Sequence, residues 1–246
     1  MTDIQHLNNP PINEALLDIR LELAKNFDNK KLESIYDSVK DTFPVKQASN
    51  KWETLLELKP GENPVAKSEG GENGFWFKSA DSTKILQLRT DGFTLNKLKP
   101  YESWESLVTE AKQYWNIYQK VVGEHKINRL ALRYINSIQV PISASIADYI
   151  IFIPTIPEDM RSNVPEFFTR FVIDDAKSDS KANIILALDN LKSTDQEKTF
   201  IFDVDAYRNV NNPKSEQIWE IFESLHNFKN TIFFNGITNK ALEKYK

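Results

Sequence analysis

The stretch Ala15-Leu16-Leu17-Asp18-Ile19-Arg20-Leu21-Glu22-Leu23 decides how the chain is read. Ala15, Leu17, Ile19, Leu21 and Leu23 point one way, while Leu16, Asp18, Arg20 and Glu22 point the other. A period of two is that of a half-buried strand. The pattern restarts at residue 130, where Leu130, Leu132, Tyr134, Asn136 and Ile138 share one face of a strand that Pro141 ends. Each of these strands opens a segment that closes on a long amphipathic helix.

In the first segment Leu32, Ile35, Tyr36, Val39 and Phe43 recur at helical spacing before Pro44, which predicts a helix over Lys31 to Phe43. Strand-like runs follow near Trp52 to Leu58, Phe75 to Ser79, Ile85 to Thr90 and Phe93 to Leu98. Asp91-Gly92 supplies a hairpin turn, and Pro60 to Gly74, with four Gly and two Pro, reads as a long solvated loop. Ser103 is a natural N-cap for a helix with Trp104, Leu107, Val108, Ala111, Trp115, Tyr118 and Val122 along one stripe, and Gly123 stops it. The second segment has a short apolar helix around Ser145 to Phe152 and a Pro-punctuated connector from Pro154 to Pro165. Strands follow at Phe167 to Ile173, Asn183 to Leu188 and Thr199 to Tyr207. A last helix starts with Pro213 at its first position and carries Ile218, Phe222, Leu225 and Ile232 towards Gly236.

The two halves therefore read β-α-β-β-β-β-α and β-α-β-β-β-α. The prediction is an α+β fold, a single domain over 1–246 with an internal pseudo-repeat, its halves spanning 10–123 and 127–238. Two duplicated units set their first strands side by side in one antiparallel sheet with helices on one face, as in the saddle of TATA-binding-protein-like folds. That comparison is an analogy of element order and implies nothing about DNA.

Composition narrows the function classes. Apolar residues make up 40% and charged residues 27%, with a mean hydropathy of -0.49, which excludes a disordered chain and a polytopic membrane protein. No apolar run has bilayer-spanning length and Met1 to Asn9 has no signal-peptide pattern, so a cytoplasmic location is expected. The absence of cysteine removes disulfides, thiolate metal sites and cysteine nucleophiles, and three His leave little for zinc. A net charge of -4 argues against nucleic acid as a partner. The aromatic-basic set of Trp52, Phe75-Trp76-Phe77, Lys78, Lys84 and Arg89 is the one feature in its favour. No phosphate loop, dinucleotide fingerprint, G-x-S-x-G elbow or H-E-x-x-H motif occurs.

Candidate functional residues are polar groups set into apolar patterns. Asn136 shares a face with Leu132 and Tyr134, so it is either a buried amide bonded to backbone or a ligand group, and Arg133 faces the other way. His226, Lys229 and Asn230 stand at i, i+3 and i+4 beside Phe222 and Phe233, either as a polar edge or as an anion or acid–base site. Asp203 and Asp205 project from one strand face, either solvated or as a weak magnesium site for phosphodiester chemistry. Glu14 sits where the chain enters the sheet and is placed to anchor Arg133 if the two opening strands are neighbours.

Several phrases occur together: Pro10-Pro11-Ile12-Asn13-Glu14-Ala15, Leu132-Arg133-Tyr134-Ile135-Asn136-x-Ile138, Phe168-x-Arg170-Phe171, and Leu225-His226-x-x-x-Asn230-x-x-Phe233 leading to Ile237-Thr238. In this combination the chain resembles a sporadically distributed bacterial family of uncharacterised proteins of about the same length. The resemblance implies no activity, cofactor or catalytic residue. A patchy distribution fits accessory genes of mobile defence or toxin–antitoxin loci. The leading expectation is a non-enzymatic interaction module with a protein partner or a second copy of itself. The alternatives are a small-ligand-binding protein or enzyme with Arg133, Asn136, His226 and Lys229 around a pocket between the halves, and a magnesium-dependent phosphodiesterase.

Overall fold

The computed structural model describes residues 7–24, 27–57, 65–154 and 166–246. The chain is an α+β protein built on one nine-stranded antiparallel sheet. In chain order the strands are β1 (Ile12–Leu23), β2 (Val45–Glu57), β3 (Val65–Lys78), β4 (Lys84–Arg89), β5 (Gly92–Leu98), β6 (His125–Pro141), β7 (Phe168–Asp175), β8 (Ser180–Asp189) and β9 (Glu197–Asn209). Across the sheet they run β2-β3-β4-β5-β1-β6-β9-β8-β7. The two opening strands β1 and β6 are thus neighbours at the centre, with Leu17 opposite Leu132 and Ile19 opposite Leu130. On its other edge β1 pairs with β5, Leu17 facing Leu95, while β6 pairs with β9, Tyr134 facing Val204.

This register collects the apolar residues of the strands on one face. Leu17, Leu95, Leu132, Val204 and Ile184 are all fully buried there. Two long helices belong to the same core: α3 (Trp104–Val122) packs on β1 and β5, and α4 (Ser215–Gly236) on β6 and β9. The Ser103 hydroxyl caps α3 by accepting the Ser106 N–H at 3.1 Å, and Gly123 ends it at φ +67°, a conformation that favours glycine. No helix of the described residues is long and apolar enough to cross a membrane.

Several local expectations shift. The helix read over Lys31 to Phe43 is two short pieces, α1 (Lys30–Ser34) and α2 (Tyr36–Val39). Around Ile35 the backbone stays helical but bonds three residues apart, Ile35 N–H to Leu32 and Ser38 N–H to Ile35. Pro213 precedes the N-cap Lys214 of α4, two residues before the first helical position expected for it. Around Ser145 to Phe152 only Ile146–Asp148 turns, as a 3₁₀ segment, since Ile150 instead bridges to Ile237. The hairpin loop after β4 is Thr90-Asp91, one residue earlier than predicted. Of the loop expected over Pro60 to Gly74, residues 60–64 lie outside the described residues, and Val65 to Gly74 is strand. The Trp52 ring lies over Gly70 on the paired strand, where a Cβ would come within 2.3 Å of it, and Gly74 sits at a register shift with φ +139°. Glycines there admit a ring and a bulge rather than a loop. Most of the connector from Pro154 to Pro165 also lies outside the described residues.

Among the described residues the sheet's other face carries charge instead of helices. Asp18, only 5% exposed, accepts hydrogen bonds from Arg89 Nη2 at 3.0 Å, Arg20 Nε at 2.9 Å and the Thr94 hydroxyl at 2.5 Å. Arg129 pairs with Asp205 at 3.1 Å, and Arg133 grips Asp203 through Nε and Nη2 at 2.9 and 2.5 Å. The ladder joins β4, β1, β6 and β9, Arg89 reaching Asp18 past the intervening β5, so the guanidiniums that bridge strands help to fix their register. Removing one partner of such a pair leaves the other buried and unmatched. Asp18→Ala is therefore expected to lower the free energy of unfolding by about 3 kcal/mol, measured by urea denaturation, whereas Asp174→Ala at the exposed sheet edge should leave it nearly unchanged.

Candidate functional site

Lys229 is the least expected residue of α4. Its side chain is on the helix stripe that faces the sheet, and it is 6% exposed. Four residues after Leu225 and four before Phe233, it follows the apolar side of the helix by periodicity, yet ends in an amine. The Nζ lies 3.7 Å from the centroid of the Tyr134 ring on β6 and donates to Asn230 Oδ1. No carboxylate of the described residues forms an ion pair with it. Burial alone pulls the ammonium down to about 7.

An ammonium only donates, so the carbonyl oxygen of Asn230 must face it and the amide nitrogen must face His226, 3.3 Å from Nε2. His226 Nε2 is then the acceptor and Nδ1 carries the proton, buried without a hydrogen-bond partner. The imidazole stacks on Trp104, the first residue of α3, with centroids 4.3 Å apart and planes 7° from parallel. Burial, and secondarily the charge of Lys229, pushes His226 down to about 3, so it stays neutral. Trp104 Nε1 donates to Glu223 of α4 at 2.7 Å, tying the two helices together at this point.

Beneath these groups lies a cavity of about 300 Å³. Its apolar wall comes from Leu7, Pro10, Pro11, Ile12, Phe233 and Phe234, and its polar wall from Tyr101, Asn136 and the α4 trio, with Glu102 and Glu105 also on the lining. The Tyr101 and Tyr134 hydroxyls bond each other at 2.7 Å, and burial pushes Tyr101 up to about 12. Asn136 donates to the Phe202 carbonyl at 2.9 Å, which holds it against β9 at the cavity floor.

The structure thus brings together Asn136, His226, Lys229 and Asn230, and it separates Arg133 and Glu14 from them. Residue alternation puts Arg133 on the opposite face of β6, bonded to Asp203. Glu14 is also on that face, with β1 beside β6 as the anchoring idea required, but it accepts from Asn96 at 2.5 Å rather than binding Arg133. Asp203 and Asp205 are committed to Arg133 and Arg129, and no group of three metal-ligating side chains occurs among the described residues. The aromatic-basic set is divided as well: Phe75 and Phe77 are core, Trp52 is 71% exposed, Lys84 turns to Glu110 of α3, and Arg89 turns to Asp18. Tyr101 and Trp104 carry no site signal in the sequence, since nothing in linear spacing connects residue 104 with 226.

No protein-family model matches the chain, and no curated protein matches it.

The charge balance of Lys229 gives a signed expectation. Unfolded, the amine titrates at 10.5 and folded at about 7, so between those values the unfolded chain holds a proton that the folded one lacks. The native state therefore gains on the unfolded state as pH rises from about 7 to 10.5. Lys229→Met is expected to be at least as stable as the parent at or below neutral pH, with its advantage shrinking as pH approaches 10.5, checked by paired urea titrations.

Proposed function

We propose that the chain is a small-ligand-binding protein whose ligand occupies the cavity between α3, α4 and β6. The ligand's apolar body packs against Ile12 and Phe233, and an electron-rich oxygen faces Lys229. One observation carries this reading: a buried amine borders a ligand-sized space and forms no ion pair with a carboxylate of the described residues. Small-molecule sites span roughly 300–1,000 Å³, so the cavity holds a compact molecule. An uncompensated buried charge costs several kcal/mol, and a ligand oxygen placed against it offsets that cost. Support also comes from the way the cavity sits between the two closing helices. The mirrored strand order around β1 and β6 supports reading the halves as copies of one unit, with the site at their seam.

Native mass spectrometry of freshly purified protein is expected to show a retained small molecule in the parent and none in Lys229→Met. Benzoate or hexanoate should raise the parent's melting temperature and leave that of Lys229→Met unmoved. A variant that retains the same ligand, or a parent that neither carries a molecule nor responds to the probes, overturns the reading.

A second reading, interaction through the sheet edge, is favoured by β7. This strand is outermost in the sheet and exposes Phe168 and Val172 at 65% and 49%. Arg170 and Asp174 flank Val172 on the same face. A second copy pairing antiparallel about Val172 sets each Arg170 opposite the other copy's Asp174, a self-complementary two-fold arrangement. Sedimentation should show a concentration-dependent dimer that Val172→Lys or Arg170→Asp abolishes and that Arg170→Asp with Asp174→Arg restores. A parent that stays monomeric at every concentration removes this reading.

A further inference from the structure

We infer that Lys229 is a carbonyl-capturing amine, whose Nζ forms an imine with an aldehyde or ketone held in the cavity between α3 and α4. The inference rests on the ligand-binding reading and names the ligand's reactive group.

The first ground is the coordination of Nζ. A neutral amine has two N–H groups and one lone pair. The carbonyl oxygen of Asn230 and the face of the Tyr134 ring, 3.7 Å away, take the two donors. No donor of the described residues is bonded to the lone pair, which leaves it for an electrophile. Its surroundings are an aromatic ring, a carboxamide and the neutral His226, with no carboxylate of the described residues in an ion pair with it, and burial among them favours the uncharged amine. An amine that titrates near 7 is substantially free base at neutral pH, when an exposed lysine is almost wholly protonated.

The second ground is the proton count at the Tyr101–Tyr134 pair. Two hydroxyls share one hydrogen bond at 2.7 Å, so one O–H remains to donate. With Tyr101 held protonated beyond the physiological range, that donor can polarise a carbonyl oxygen without becoming a phenolate. Glu102 and Glu105 place the negative charge on the cavity lining, and Glu102 is held below the usual carboxylate range first by its bond from Ser106 and then by Lys97. Their charge disfavours a ligand with several carboxylates and selects a neutral or singly charged carbonyl compound.

The step balances without an oxidant. The Nζ lone pair attacks the carbonyl carbon, the C=O π pair moves to oxygen, and proton transfer from nitrogen to oxygen gives a carbinolamine. Loss of the hydroxyl with a second nitrogen proton as water leaves C=N, so amine and carbonyl go to imine and water. The reverse step releases the ligand, which makes the capture reversible.

Phenylacetaldehyde with sodium cyanoborohydride, applied to the intact protein near neutral pH, tests this. Reduction fixes any imine as a secondary amine, and peptide mapping locates it. The expected result is one dominant adduct on Lys229, with surface lysines labelled at least about tenfold more slowly, since the free-base fraction of each is roughly a thousandfold smaller. Lys229→Arg and Lys229→Met should lose that adduct, and the parent's peptide map decides alone if neither variant folds. Adducts spread over surface lysines with Lys229 unlabelled overturn the inference. If Lys229 is unlabelled while benzoate still stabilises the parent and not Lys229→Met, the covalent step fails and the binding reading stands. If neither probe acts at Lys229, both fail.

Discussion

The pairing of β1 with β6 is the constraint on which the rest of the structure depends. These strands begin the two halves of the chain, and each has only one further neighbour, β5 or β9. Their antiparallel register sets Leu17 against Leu132 and Ile19 against Leu130, which aligns the apolar faces of both halves in one plane. A slip by one residue would put the apolar set of one strand on the opposite face from that of the other. With that register fixed, α3 and α4 have one continuous apolar surface to cover, and they meet above its centre. The charge ladder of Arg89, Asp18, Arg129, Asp205, Arg133 and Asp203 secures the same register from the opposite face.

The cavity is a consequence of how those helices meet. Trp104 opens α3 and stacks on His226 of α4, while its indole N–H reaches Glu223, and further along Lys112 of α3 lies over the Trp219 ring of α4, 5.3 Å from its centroid. Below the Trp104 contact the space between helices and sheet is lined by rings and an amine rather than filled by aliphatic side chains. The polar chain from Lys229 through Asn230 to His226 is satisfied in one direction and ends on a buried N–H without a partner. A well-packed core has no use for such a chain, because each unmatched donor weakens it. Its position at a ligand-sized space is what gives it a role.

Much of the architecture was legible in the chain itself. Alternation in Ala15 to Leu23 and in Leu130 to Ile138 gave both central strands, and Ser103 with Gly123 bounded α3, because these signals depend on neighbours within a few residues. Gly70 and Gly74 misled for the opposite reason: what they accommodate, the Trp52 ring and a register shift, lies on other strands. Spacing on one helix was enough to group His226, Lys229 and Asn230. It could not say that Tyr134 lies under Lys229 or that Trp104 covers His226.

By itself, then, the sequence determined which faces are apolar, where the long helices start and stop, and that Asn136 and the α4 trio are polar groups on otherwise apolar faces. Tertiary structure alone decided that those four residues share a cavity, while Arg133 and Glu14 are on the far side of the sheet, engaged by Asp203 and Asn96. The physical reason is range. Periodicity and capping are set by bonds within a turn or a strand pleat, whereas burial of a charge, the partner of a carboxylate and the titration of an amine depend on groups a hundred residues away that only strand register brings together.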